Sequence, residues 1–173
     1  TSIDITIPVE EGPRFRIGRL RVAELDDEGA ELDLLGGRRV VREMVAADPG
    51  DWFSRTVIGT GLQTITRHYR DHGFAHVDVT TQPDLDLDRK VVHITVSLRR
   101  GPPVHIERIN IRGNSKTRDL VIRREINVVE GDLYSQTAIE EAKARIQALG
   151  YFERVDTSEE EGSGPEALVV NFE

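Results

Sequence analysis

RGPPVHIERINI at residues 100–111, set beside EGPRFRIGRLRV at residues 11–22, decides how the chain is built. Gly12 and Pro13 align with Gly101 and Pro102. Phe15, Ile17, Leu20 and Val22 align with Val104, Ile106, Ile109 and Ile111. In both stretches the apolar alternation slips phase at the same place, after Ile17 and after Ile106. Alternation buries one face of a strand, and a slip keeps that face buried only if an extra residue is bulged out. Bulges are therefore expected near Gly18 and Arg19 and near Glu107 and Arg108.

The duplication continues downstream. Gly50 and Asp51 correspond to Gly131 and Asp132, and Ser54 to Ser135. Each serine is placed to cap a helix through its hydroxyl. Those helices end at His72-Gly73-Phe74 and Leu149-Gly150-Tyr151, where glycine can take the left-handed closing conformation. After each glycine comes an alternating run (75–82 and 152–158), a polar turn (83–89 and 159–165), and a second alternating strand. That last strand carries Val92, Ile94, Val96 and Leu98 in copy one and Leu168, Val170 and Phe172 in copy two. A shorter first helix is expected at 38–47 in copy one, after a longer acidic loop (24–37). In copy two it is expected at 117–126, with Thr117 as cap. Residues 1–11 have the spacing of a final strand (Ile3, Ile5, Ile7, Val9), so they read as the last strand of an earlier copy. The copies themselves span 12–99 and 100–173.

Strand, helix, helix, strand, strand predicts an α+β fold of tandem β-α-α-β-β modules. Strand three lies parallel to strand one and antiparallel to strand two, giving a mixed three-stranded sheet of order 1-3-2 covered on one face by two helices. Strand two sits at an edge. Composition agrees with a packed, metal-free pair. The 173 residues are 38% hydrophobic and 31% charged, contain no cysteine, and carry a net charge of −8. Zero cysteine excludes disulfides and thiolate chemistry. The acidic balance, without a basic stripe, argues against nucleic acid.

The motifs at 101–114 (GPPVHIERINIRGN), 131–135 (GDLYS) and 148–152 (ALGYF) resemble the POTRA (polypeptide-transport-associated) family. The residues carrying that motif are Gly73, Phe74, Gly113, Asn114, Gly131, Gly150 and Tyr151. Copy one departs from it, with Ala23 and Glu24 where copy two has Gly113 and Asn114. The resemblance implies a non-enzymatic periplasmic scaffold in the arm of a BamA-type outer-membrane protein assembly machine, or of a related secretion or translocation protein. It implies no cofactor. The implied partners are unfolded outer-membrane precursors, assembly lipoproteins, neighbouring POTRA copies and a C-terminal membrane β-barrel.

An edge strand offers free N–H and C=O groups to any extended segment. The candidate client-binding residues are therefore the two edge strands: His76, Val77, Asp78, Val79, Thr80, Thr81 and Gln82, and Glu153, Arg154, Val155, Asp156, Thr157 and Ser158. The junction residues Gly12, Pro13, Arg100, Gly101, Pro102 and Pro103 are expected to set a joint of limited flexibility. The first apolar pair of each copy (Phe15 and Ile17, Val104 and Ile106) is expected to pack against the neighbouring module. His68, His72 and His76 suggest a metal site, but His76 lies past the helix-ending glycine and no carboxylate completes the set. Asp84, Asp86 and Asp88 imitate a calcium loop, yet Arg89 and Thr95 stand where glycine and glutamate belong. Glu159, Glu160 and Glu161 read as a solvated turn. Trp52, Phe53, Leu133 and Tyr134 read as core residues, and Gly59-Thr60-Gly61 as a close helix-packing point.

Overall fold

The computed structural model describes residues 12–173; residues 1–11, read above as a borrowed strand, lie outside it. Copy one contributes strand β1 (Arg16–Leu25), the two-residue strand β2 (Glu31–Leu32), helices α1 (Arg38–Met44) and α2 (Arg55–Arg70), and strands β3 (Asp78–Asp86) and β4 (Val91–Arg99). Copy two contributes β5 (His105–Ile111), α3 (Asp119–Arg123), α4 (Gln136–Ala148), β6 (Thr157–Glu161) and β7 (Ala167–Phe172).

These form two sheets, ordered β2-β1-β4-β3 and β5-β7-β6. In each, the first and last strands of the copy run parallel and the hairpin partners antiparallel. Both parallel ladders shift register at the expected bulge, between Ile17 and Leu20 and between Ile106 and Arg108. The reason for the shift is visible in the backbone. Asp51 accepts from the Ile17 N–H at 2.8 Å and Asp132 accepts from Ile106 at 2.8 Å, both through their carbonyls. The Gly-Asp segment thus clamps strand one where the strand changes face.

The central strands supply the cores. Val92, Ile94, Val96 and Leu98 of β4 are buried against Ile58, Ile65 and Tyr69 of α2 and Val41 of α1. Leu168, Val170 and Phe172 of β7 are buried against Ile139, Ala142 and Ile146 of α4 and Ile122 of α3. Ser54 and Ser135 cap their helices, accepting from Val57 N at 3.4 Å and Ala138 N at 3.3 Å. Gly73 and Gly150 close them at φ 94° and 70°.

Four expectations are corrected. The acidic loop of copy one is not irregular throughout: it turns on Asp26, whose carboxylate accepts from Glu28 N and Ala30 N at 3.0 and 2.7 Å. It then returns β2 antiparallel to β1, with Glu31 held by Arg21 and Arg38. The first helix of copy two is shorter than 117–126. Arg118 is extended and takes the cap position without a side-chain bond, because Asn114 Nδ2 instead donates to the Thr117 carbonyl.

The edge strands are displaced C-terminally. His76 and Val77 lie in a turn in which Val77 N bonds the Phe74 carbonyl, and β3 runs on through Pro83 to Asp86. In copy two Glu153, Arg154 and Val155 precede the ladder. Asp156 opens it with two backbone bonds to Glu173, and the three glutamates lie in β6 rather than in a turn. The sequence hid this because an edge strand is polar on both faces, so no alternation marks its end. Finally, Trp52 and Leu133 are 55% and 50% exposed, while Tyr134 is buried and Phe53 half-buried.

Gly61 is a close approach: a Cβ there would lie 2.6 Å from the Val45 Cα, while one on Gly59 meets nothing within 4 Å. Gly61→Ala should destabilise the protein by about 1–3 kcal/mol through overpacking. Gly59→Ala should stabilise it by about 0.5–1 kcal/mol by removing backbone freedom from the unfolded chain. Urea unfolding of the two variants checks the opposite signs.

Candidate functional site: a free sheet edge beside a locked joint

The candidate edges lie at the margins of the two sheets. β3 has nine residues, paired from Asp78 with Arg99 to Asp86 with Val91. Its other side carries no strand among the described residues. Pro83 contributes no N–H to either side, a common restraint on edge strands. Beside β3, two adjoining shallow grooves share Leu62 of α2. One, of about 260 Å³, runs past Gly59, Thr81 and Pro83. The other, of about 450 Å³, runs past Thr66, Val79 and Gln136 of copy two. A strand added to β3 would lay alternate side chains along that groove. β6 has five residues, three of them glutamates, so a segment added there meets a row of negative charge.

Between the copies lies a dense polar joint. Asp71 follows α2, and its carboxylate reaches the N-terminus of α4. It accepts from Thr137 N at 2.8 Å, from Thr137 Oγ1 at 2.7 Å and from Ser135 Oγ at 3.1 Å. A carboxylate there faces the positive end of the helix and satisfies an otherwise orphan N–H. Two residues on, the Gly73 carbonyl accepts from Val104 N at 2.8 Å. Leu133 sits close enough that a Cβ on Gly73 would meet it at 2.9 Å. Ala75 of copy one is buried in the core of copy two, beside Val104.

Two Tyr–Glu–Arg clusters brace this joint reciprocally. In copy one, Tyr69 OH donates to Glu24 at 2.6 Å and accepts from Leu35 N at 3.0 Å. Arg100 of the linker lies 2.6 Å from the other oxygen of that fully buried carboxylate. In copy two, Tyr134 OH donates to Glu159 at 2.5 Å, and Arg70 of copy one reaches the same carboxylate at 3.3 Å. Arg70 also donates to Gln136 and to the Ala75 carbonyl. Burial, followed by the hydrogen bond to a carboxylate, pushes both tyrosine hydroxyls above their ordinary range.

The structure therefore sorts the candidate residues. Asp78 to Gln82 lie on the β3 edge, and Thr157 and Ser158 on the β6 edge. Arg100 and Gly101 belong to the joint, Gly101 because its φ of 67° is one that side-chain-bearing residues rarely adopt. Pro102 and Pro103 are exposed beyond it. Gly12 is exposed and Pro13 lines a cleft with Trp52. Among the motif residues, the Gly131 N–H holds the Ile106 carbonyl, Phe74 packs on the copy-one core, and Tyr151 is exposed. His68 Nε2 donates to the Leu35 carbonyl and His72 Nδ1 to the His68 carbonyl. Among the described residues no three His, Asp or Glu side chains are grouped to hold a metal ion. Sequence reasoning missed Asp71, Arg70, Tyr69 and Glu24. The one signal available was the Ser-x-Thr shared by 54–56 and 135–137, which marks an N-terminus able to take a carboxylate.

The POTRA family model, described as a surface antigen variable number repeat, matches residues 35–101 and 104–173. The outer membrane protein assembly factor BamA of Neisseria meningitidis serogroup B is 30% identical over 155 residues, which is 90% of this chain and 19% of that protein. The BamA of Nitratidesulfovibrio vulgaris is 28% identical over 157 residues, again 90% and 19%. The chain thus spans about a fifth of the length of these curated relatives. In structure it is similar to Haemophilus influenzae BamA POTRA3-5, at a TM-score of 0.81 and 21% identity, over 94% of this chain and 61% of that one.

Tyrosines whose folded-state pKa is raised stabilise the fold fully below the unfolded value. That stabilisation falls once the unfolded state alone ionises. Stability should therefore drop above about pH 10, by up to about 1.4 kcal/mol per pH unit for each of Tyr69 and Tyr134. Tyr69→Phe and Tyr134→Phe should each flatten that slope in urea unfolding across this range. Asp71→Ala should cost about 1–2 kcal/mol and broaden the unfolding of the pair into two separable transitions.

Proposed function

The chain belongs to the POTRA family, as two copies in tandem, and from that membership we propose that it works as part of the periplasmic arm of a BamA-type outer-membrane assembly protein. In this reading the copies span 12–99 and 100–173, and the arm is a non-enzymatic scaffold without a cofactor. Its clients are unfolded outer-membrane precursors. Assembly lipoproteins, neighbouring POTRA copies and a membrane β-barrel in the parent chain are its other partners. No helix among the described residues is long and apolar enough to cross a membrane.

The observation that carries the reading is the nine-residue β3 edge running beside a groove lined by Leu62, Gly59 and Val79. Main-chain hydrogen bonds to an edge are indifferent to side-chain identity, which suits a scaffold with many clients, and the groove adds apolar contact at alternate client positions. β3 is favoured over β6. It is longer, it lacks a run of glutamates, and its inner-face neighbours leave open volume. On β6, by contrast, Glu159 is engaged by Tyr134 and Arg70.

An isotope-labelled chain titrated with a peptide copying one strand of an outer-membrane β-barrel should show amide shifts along residues 78–86 and on Leu62 and Gly59. Gly59→Gln, which fills the groove from a position with open space around it, should weaken the peptide several-fold while leaving the melting temperature within a few degrees. Shifts confined elsewhere, or none at millimolar peptide, contradict the reading.

A further inference from the structure

We propose that copy one carries, around Trp52, a docking surface for the corner that ends the second helix of a preceding copy of the same fold. The inference rests on membership of the POTRA family and goes beyond it by naming the residues and the matching feature on the occupant.

The argument comes from the internal duplication. The platform that copy two presents to copy one is rebuilt, bond for bond, at the free end of copy one. Phe53 N donates to the Phe15 carbonyl at 2.9 Å as Tyr134 N does to Val104 at 2.9 Å. Gly50 N donates to Ile17 at 2.7 Å as Gly131 N does to Ile106 at 2.7 Å. Arg16 bridges Trp52 as His105 bridges Leu133. Asp51 and Asp132 each accept through a side-chain oxygen from the N–H three residues earlier, at Asp48 and Val129. Ser54-Arg55-Thr56 repeats the Ser135-Gln136-Thr137 that receives Asp71.

What differs is cover. Val104, Tyr134 and Thr137 are buried or half-buried with copy one against them. Their counterparts Phe15, Phe53 and Thr56 are half-buried, half-buried and exposed. Val57 is 40% exposed where Ala138 is half-buried. Pro13, Phe15, Trp52 and Phe53 line an open cleft of about 390 Å³. Arg16 lies over the Trp52 ring at 4.1 Å, so the surface is apolar with a cationic border. The occupant that fits is the feature copy one itself offers to copy two: a helix end carrying a carboxylate, followed two residues on by glycine. The carboxylate would take the Thr56 N–H and hydroxyl, and Trp52 would cover the glycine as Leu133 covers Gly73. Residues 1–10, with the apolar spacing of a third strand, are the segment through which such a copy would enter Gly12 and Pro13.

Trp52 is the sole tryptophan and reports on its own surface. Acrylamide quenching and emission wavelength are compared between the 173-residue chain and a chain extended upstream through the next POTRA-length stretch of the parent gene. The proposal expects quenching to fall several-fold and emission to move to the blue in the extended chain, and Thr56→Val to reverse part of both. Equal quenching in the two chains overturns it. So does protection of Trp52 by an upstream stretch that lacks a helix end with a carboxylate and glycine. The outer-membrane strand peptide added to the 173-residue chain should leave Trp52 as accessible as before. Protection by the peptide as complete as by the extension would make this surface a client site and overturn the docking. Failure of client binding at β3 leaves the Trp52 result untouched, so the two readings fail separately.

Discussion

A single carboxylate, that of Asp71, ends one helix and begins another. It lies at the C-terminal end of α2 and accepts three hydrogen bonds at the N-terminus of α4, from residues 64 and 66 positions further along the chain. A short charged contact at the positive end of a helix dipole is directional, unlike a patch of apolar contact. It fixes where α4 starts relative to α2. Gly73 and Val104 then fix the path of the linker by a backbone bond, and Gly101 gives the linker the one left-handed residue that path needs. Arg100, paired with the buried Glu24, ties the exit of copy one back to its own first strand. Removing one partner of such a buried pair leaves an uncompensated charge, which costs far more than a surface pair contributes.

The consequence is a pair of modules whose edges face outward in a set relation. A strand edge that is already extended and held by nine cross-strand pairs needs no ordering when a client arrives, and most of the entropic cost of association then falls on the client. The same joint treats the two edges unequally. It draws Glu159 of β6 toward Arg70 and Tyr134, and it leaves β3 open with the groove of α2 beside it. Copy two therefore serves as much to hold copy one in place as to present a surface of its own.

The duplication, the order of elements, both bulges and both serine caps were legible in the sequence, because each depends on local periodicity or on a residue with a special role. The acidic strand β2 was not, because two residues paired through Asp26 and a pair of arginines leave no periodic trace. The ends of β3 and β6 were missed for a related reason: a strand with solvent on one side of its ladder needs no apolar alternation. Trp52 and Leu133 were assigned to the core on residue type alone. Their exposure follows from standing at module ends, where the covering partner is another copy rather than the module's own helices. Asp71, Tyr69 and Glu24 act across copies or across long loops, and no pattern within either repeat distinguishes them from ordinary surface and core residues.

Residual dipolar couplings of the backbone amides, measured for both sheets in one weakly aligning medium, address the locked joint most directly. A single alignment tensor should fit β1, β3 and β4 together with β5, β6 and β7, with the same magnitude and rhombicity for both. Two tensors of different magnitude would mean that the modules move independently about Gly101, and would contradict the account.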